Sequence, residues 1–138
     1  MKHLHFDVET AGFYGAYWAC AGGSDCAVIA MIGDDPEDRL ARSAVKWLCG
    51  QGVNVLTMSP AKKDYGHHNY PLERIETAIS WLKANGSRKI GIAGASTTGT
   101  LALTAASMFP DITLTIAMTP SDFVWQGFMQ GKRDGCKE

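Results

Sequence analysis

The sequence predicts an α/β fold: a three-layer α/β/α sandwich on a mostly parallel sheet, with an antiparallel pair of strands at its amino-terminal end. From Cys26 onward, short apolar runs alternate with segments of helical periodicity, in the order strand–helix–strand–helix–strand–helix–strand. Before Cys26, two short strand patterns are joined without a long helix, which favours antiparallel pairing. The chain of 138 residues is long enough for one such domain, over residues 1–138.

Composition and charge argue against several classes of binding partner. The chain is 46% hydrophobic and 20% charged with a net charge of −1, which gives no electrostatic basis for binding nucleic acid or an anionic membrane. No apolar run is long enough to span a membrane. The cysteines show neither a C-x-x-C pair nor metal-ligand spacing, so we expect free thiols, a cytoplasmic protein, and no metal or cofactor. They are Cys20, Cys26, Cys49 and Cys136.

The amino-terminal strands are predicted from alternation and turn residues. Leu4, Phe6 and Val8 alternate with polar residues, as in a half-buried strand. A second strand is expected around Tyr14–Cys20 and ends at the turn Gly22–Asp25. The two strands should pair antiparallel.

The first parallel strand and helix follow directly. Cys26–Ile32 is a continuous apolar run, typical of a strand that is buried on both faces. Asp35 is the expected N-cap of the next helix, Pro36 suits its first position, and Gly50 ends it. The expected buried stripe comprises Leu40, Ala44, Val45 and Leu48.

The remaining core elements repeat this pattern. Val53–Met58 predicts a buried strand, and a helix is expected from Pro71 to Asn85-Gly86. A last strand is predicted at Ile112–Ala117. The buried face of the helix comprises Leu72, Ile75, Ile79 and Leu82.

The strand-to-helix junction around Ser96 is the strongest functional signal. A short apolar strand ends near Ala93, and helical periodicity begins at Leu101, with Ala105 and Met108 on the same stripe. Ser96 lies between them, among the small residues Gly94, Ala95 and Gly99. This pattern is typical of a nucleophile elbow, in which a strained backbone lifts a serine Oγ clear of the sheet.

Other interpretations of this junction are less well supported. A phosphate-binding loop would need lysine at Thr100 and a hydroxyl residue at Leu101, and the glycine spacing does not match a dinucleotide-binding fingerprint. An ordinary turn in which Ser96 only caps a helix remains open.

The antiparallel pair, the parallel core and the serine turn after the third parallel strand together resemble the α/β-hydrolase superfamily. Within it the chain resembles the dienelactone-hydrolase-like group, and most of all the C-terminal domain of acyl-CoA thioesterases and bile-acid-CoA:amino-acid N-acyltransferases. The resemblance implies that Ser96 is a nucleophile toward a small acyl ester or thioester. It also implies oxyanion donors at the N–H of Thr97 and at an N–H of Gly33 or Asp34.

The sequence departs from the superfamily pattern in two places. The pattern G-x-S-x-G has a glycine two residues after the serine, where this chain has Thr98, and a β-branched residue there is expected to crowd the elbow. The loop expected to form the oxyanion hole contains the acidic pair Asp34-Asp35.

The residues that would activate the serine are incomplete. In the superfamily an acid and then a histidine follow the nucleophile, but no histidine follows His68. Asp122 is the candidate acid, and His68, which precedes the serine, is the candidate base. We therefore expect an incomplete α/β-hydrolase fold, truncated at the C-terminus and inactive alone, whose unpaired edge strand favours a homodimer.

Two functions remain open at this point. The first is a serine hydrolase acting on an ester or acyl thioester, and the second is a non-catalytic α/β-hydrolase-like module that binds a small ligand. A nucleotide-binding flavodoxin-like domain is disfavoured, because the acidic loop at Gly33–Pro36 would repel phosphate.

Overall fold

The computed structural model describes residues 1–59 and 70–121, which form one mixed sheet with helices on both faces. The strands are β1 (Leu4–Phe6), β2 (Gly15–Trp18), β3 (Cys26–Met31), β4 (Asn54–Met58), β5 (Lys89–Ala95) and β6 (Ile112–Met118). The helices are α1 (Val8–Ala11), α2 (Arg39–Gly50), α3 (Glu73–Ala84) and α4 (Thr97–Met108). The strand order is β1-β2-β4-β3-β5-β6.

Strand directions confirm the predicted fold class. β3, β4, β5 and β6 are parallel, whereas β1 pairs antiparallel with β2 and β2 pairs antiparallel with β4. The parallel strands therefore end together at one edge of the sheet, where the loops that carry Gly33 and Ser96 emerge.

The core has two layers, one on each face of the sheet. Helices α3 and α4 cover one face, where the largest buried side chains are Phe13, Ile29, Met31, Leu56, Met58, Ile75, Leu82 and Ile92. Helix α2 covers the other face, where its Val45 and Leu48 pack with Ala16, Trp18, Val28, Val55 and Ala93. Since the central strands are buried on both faces, their almost unbroken apolar sequence is explained.

The connection between the first two strands differs from the expectation. Val8 was expected to extend the first strand, but it begins the one-turn helix α1. Asp7 is extended just before this turn, and Gly12 ends it in the left-handed region at φ 81°.

The start of α2 is also corrected. Its N-cap is Asp38, whose Oδ1 accepts from the Ala41 N–H at 2.8 Å, not Asp35. Asp35 lies in the turn before the helix, where its carboxylate accepts from the Glu37 N–H at 2.9 Å and from the Tyr14 hydroxyl at 3.2 Å. The helix begins at Arg39, so Asp38 and not Asp35 directly precedes its first residue.

Two residues expected on buried helical stripes are exposed. Leu40 of α2 is 60% exposed and Met108 of α4 is 58% exposed. The inward faces of these helices instead comprise Ala41, Val45 and Leu48 in α2, and Ala102 and Ala105 in α4.

None of the helices in residues 1–59 and 70–121 has the length and apolarity needed to cross a membrane. Cys20, Cys26 and Cys49 are free thiols.

Candidate active site

Ser96 forms a one-residue junction between β5 and α4. Its backbone lies at φ 55° and ψ −120°, which is a strained conformation for a residue with a side chain. Within the described ranges, Ser96 and Thr119 are the two non-glycine residues with positive φ. Ser96 is exposed at the carboxyl edge of the sheet, as the elbow pattern predicts.

Two glycines allow the strand and the helix to approach this closely. A Cβ on Gly94 would overlap the backbone carbonyl of Thr98 in the first turn of α4. A Cβ on Gly99 would lie 2.9 Å from the carbonyl oxygen of Met118, at the end of β6. The small residues around Ser96 are therefore a steric requirement of the turn.

Hydrogen bonds hold the junction on both sides. The Ser96 N–H donates to the Met118 carbonyl oxygen at 2.8 Å, and the Thr100 N–H donates to the Ser96 carbonyl oxygen at 3.1 Å. The N–H groups of the first residues of a helix have no acceptor within the helix, and Thr97 is the first residue of α4. The first turn of α4 contains no acidic residue that would oppose a negative charge there.

Thr98 does not loosen the elbow, contrary to the expected crowding. Its side chain is buried, and its Oγ1 accepts from the Ala95 N–H at 2.9 Å. The same oxygen lies 2.6 Å from the Met31 carbonyl oxygen at the end of β3. The threonine therefore fits into the turn and links it to the neighbouring strand.

Sheet register brings the predicted oxyanion loop next to the elbow. Met31 of β3 pairs with Gly94 of β5 in a parallel ladder. Gly33 and Ser96 each lie two residues beyond this pair, so both lie just past the carboxyl ends of neighbouring strands. The structure thus places Ser96, Thr97 and the Gly33 loop on one edge.

The two amides predicted in that loop differ in their surroundings. The Asp34 N–H donates to Asp38 Oδ2 at 2.8 Å, and the Asp34 carbonyl oxygen accepts from the Ser59 hydroxyl at 2.9 Å. Gly33 has φ 94°, and a Cβ there would overlap the Asp38 carboxylate. Because the Asp34 amide is engaged by Asp38, an oxyanion at Asp34 would have to displace a carboxylate.

The two candidate activating residues, His68 and Asp122, lie outside the described residues, and their roles stay predictions.

Burial is the main cause that raises the pKa of Tyr17, Cys49 and Tyr70, and the neighbouring Cys20 adds to it for the first two. Burial therefore favours the neutral form of these groups.

Histidines of the amino-terminal segment form a cluster with Glu37, which directly follows the acidic loop, and no local sequence pattern predicts this cluster. Glu37 binds the imidazoles of His3 and His5 from β1 and the segment before it, and His3 stacks on Trp18 with 4.1 Å between ring centroids. The Arg42 guanidinium lies 5.1 Å from the centroid of the Trp18 ring. The contact between His3 and Glu37 joins residues 34 positions apart, so no local pattern could have shown it. No group of three or more His, Cys, Asp or Glu side chains in the described ranges could hold a metal ion.

We expect Gly94→Ala to destabilise the protein by about 3 kcal/mol or more, because the added methyl overlaps backbone that cannot move independently. The matched control is Gly50→Ala, at the end of α2, where an added Cβ meets nothing within 4 Å. Urea unfolding measures both variants. Equal stability of Gly94→Ala and the parent would contradict the close approach at the elbow.

Solved structures with known folds match most of the chain, although no family model matches the sequence. An esterase from Pyrococcus furiosus has a TM-score of 0.64 and 23% identity, over 86% of this chain and 48% of that one. Est1E from Butyrivibrio proteoclasticus has a TM-score of 0.63 and 20% identity, over 87% of this chain and 51% of that one.

A protein of unknown function from Agrobacterium tumefaciens, suggested to be an α/β hydrolase, has a TM-score of 0.65 and 12% identity. That match covers 88% of this chain and 63% of the other. The chain thus spans about half to two thirds of the length of these proteins. At these identities the likeness concerns the fold, and the chain has the α/β fold of the α/β hydrolases.

Proposed function

We propose that this chain carries the nucleophile of a serine hydrolase that acts on an ester or acyl thioester. The observation that supports this most is the backbone of Ser96, at φ 55° and ψ −120° between β5 and α4. Strain of this kind costs on the order of 1–3 kcal/mol and is concentrated at functional sites. A serine that only caps a helix would have an ordinary extended backbone, as Asp38 has before α2.

The proposed oxyanion site has one donor from each of two elements. Thr97 N–H is at the amino terminus of α4, where the helix dipole favours negative charge. Gly33 N–H is the second donor in this proposal, since the Asp34 amide donates to Asp38. Both donors belong to backbone, so their positions depend on how the two loops are held.

The reaction that we propose proceeds through an acyl-enzyme. A base takes the proton of the Ser96 hydroxyl while Oγ attacks the carbonyl carbon, and the carbonyl oxygen becomes the oxyanion. The intermediate collapses, and the alcohol or thiol leaves with that proton. Water then repeats these steps on the acyl-enzyme and releases the acid. The sequence offers His68 as the candidate base and Asp122 as the candidate acidic residue that would orient it.

The substrate class is inferred from the chemistry and from one neighbour. The Pyrococcus furiosus structure is that of an esterase, which favours an ester for this chain. A thioester, and with it a relation to acyl-CoA thioesterases and bile-acid-CoA:amino-acid N-acyltransferases, is the finer form of the proposal. Free thiols at Cys20, Cys26 and Cys49 support a cytoplasmic protein.

A non-catalytic module that binds a small ligand is the second candidate. The observation in its favour is the Asp38 carboxylate, which accepts from the amides of Asp34 and Asp35 at 2.8 and 3.2 Å. A loop whose amides already hold a carboxylate is less suited to holding a transition-state oxyanion. Chemical labelling of the serine distinguishes the two candidates.

We predict that a fluorophosphonate labels the complete gene product once, at Ser96, and that Ser96→Ala abolishes the labelling. The matched control is Ser107→Ala, an exposed serine at the other end of α4, which should be labelled like the parent. Intact mass and peptide mapping measure the result. Labelling that persists in Ser96→Ala, or that never occurs in the folded complete gene product, would remove Ser96 from the proposed mechanism.

We further propose a homodimer formed through the edge of the sheet. Within the described residues β6 pairs with β5 alone, and its sequence I-T-L-T-I-A-M contains neither charge nor proline to discourage pairing. Leu114 is 57% exposed on this strand. Two antiparallel copies of β6 would pair about a two-fold axis and bury these side chains, so a second copy of the chain is the occupant that fits.

Sedimentation velocity tests this arrangement. We expect a dimer for the parent chain and a monomer for Leu114→Lys, because the lysine places charge on the pairing strand. Leu103→Lys changes an exposed leucine of α4 and should leave the dimer intact. A parent chain that stays monomeric at tens of micromolar would contradict the proposal.

A further inference from the structure

We infer that Thr98 is a positioning residue that sets the separation between the two oxyanion donors of the proposed site. This inference rests on the proposed function and adds a specific role for the residue at which the sequence departs from G-x-S-x-G. The elbow and the Gly33 loop belong to different strands, β5 and β3. The side chain of Thr98 connects them.

The environment of Thr98 is that of a buried and satisfied hydroxyl. The residue is 4% exposed. Its single hydroxyl hydrogen can be donated once, and the Met31 carbonyl oxygen at 2.6 Å is closer than that of Ala95 at 2.9 Å. The oxygen accepts at the same time from the Ala95 N–H. The bond to the Met31 carbonyl is buried, in a low-dielectric region where a hydrogen bond is strong, and the bond from the Ala95 N–H is partly buried.

The partners of the hydroxyl are what give it a role in the site. Ala95 directly precedes Ser96, so the bond from the Ala95 N–H to the Thr98 hydroxyl oxygen fixes the backbone that leads into the elbow. Met31 is the last residue of β3, two residues before Gly33, so the second bond fixes the point from which the loop departs. One oxygen atom thus ties together the backbone on both sides of the space where an oxyanion would lie.

A threonine suits this role better than smaller residues do. A glycine would leave the Ala95 N–H and the Met31 carbonyl without this partner, and an unsatisfied buried group is costly. Serine keeps the hydroxyl, but the β-branch of threonine restricts χ1 and leaves the oxygen fewer directions to take. The methyl group also occupies buried space at the turn.

Three variants separate positioning from stability. Thr98→Val keeps the shape and removes the hydroxyl, and Thr98→Ser restores the hydroxyl. Asn54→Ala is the matched control, because Asn54 is also buried and accepts from the Cys20 N–H and donates to the Ser24 carbonyl, but at the opposite edge of the sheet. If Thr98→Val does not fold, Thr98→Ala takes its place.

The first measurement is the second-order rate of fluorophosphonate labelling at Ser96. Loss of a whole oxyanion donor costs about 100- to 1,000-fold, so misplacing the donors should cost about 10-fold or more in Thr98→Val. Thr98→Ser should stay within about 3-fold of the parent, and Asn54→Ala should label at the parent rate despite its lower stability. A folded Thr98→Val that labels like the parent would overturn the inference.

The second measurement does not depend on reactivity. In ¹⁵N–¹H spectra, Thr98→Val should shift the amide resonances of both Thr97 and Gly33, whereas Asn54→Ala should shift neither. If the folded complete gene product is not labelled, the proposed hydrolase function fails, and these spectra still decide the role of Thr98. Shifts confined to residues 94–99, with Gly33 unchanged, would show that Thr98 does not connect the two loops.

Discussion

The close approach of β5 to α4 is the constraint on which the rest of the site depends. The Cα of Gly94 lies against the backbone of Thr98, so no side chain fits between the end of the strand and the first turn of the helix. The chain must therefore reverse within one residue. Ser96 makes that reversal with a backbone conformation that L-residues avoid. The strain is a consequence of the packing and is not a local preference of serine.

The surrounding sheet stabilises the strained turn. β5 lies between β3 and β6, and its inner residues are buried on both faces. The Ser96 N–H is bonded to the end of β6, and Thr98 is bonded to the end of β3. Both neighbouring strands therefore hold the elbow. A strained residue persists only where its surroundings determine its position in this way.

Three carboxylates in and directly after the acidic loop lie beside the proposed site, and each of them has a partner. Asp35 accepts from the Tyr14 hydroxyl, Glu37 binds His3 and His5, and Asp38 accepts from the amides of its own loop. Each of these carboxylates has a partner, so the loop can be acidic and still lie at the edge where negative charge would develop. The cost is that the amides of Asp34 and Asp35 are both engaged by a carboxylate.

The sequence was informative where a local pattern determines structure. Apolar runs and helical periodicity predicted the parallel core, and the serine among small residues between a strand and a helix predicted a tight turn at Ser96, since both depend on neighbouring residues. Asp38 in place of Asp35 as the N-cap, and the exposure of Leu40, depend on where the helix meets the sheet. The bond from Thr98 to Met31 joins residues 67 positions apart, and no periodicity reports such a contact.

Replacement of Ser96 by glycine is the most direct test of the strained turn. At a relaxed position, serine to glycine lowers the free energy of unfolding by roughly 0.5–1 kcal/mol, because glycine gains freedom in the unfolded chain. At φ 55° and ψ −120°, relief of strain outweighs that loss, so Ser96→Gly should be more stable than the parent by about 1 kcal/mol, with Ser96→Ala close to the parent. Urea unfolding of the three proteins measures this difference. A Ser96→Gly variant that is less stable than both the parent and Ser96→Ala would contradict the strained elbow.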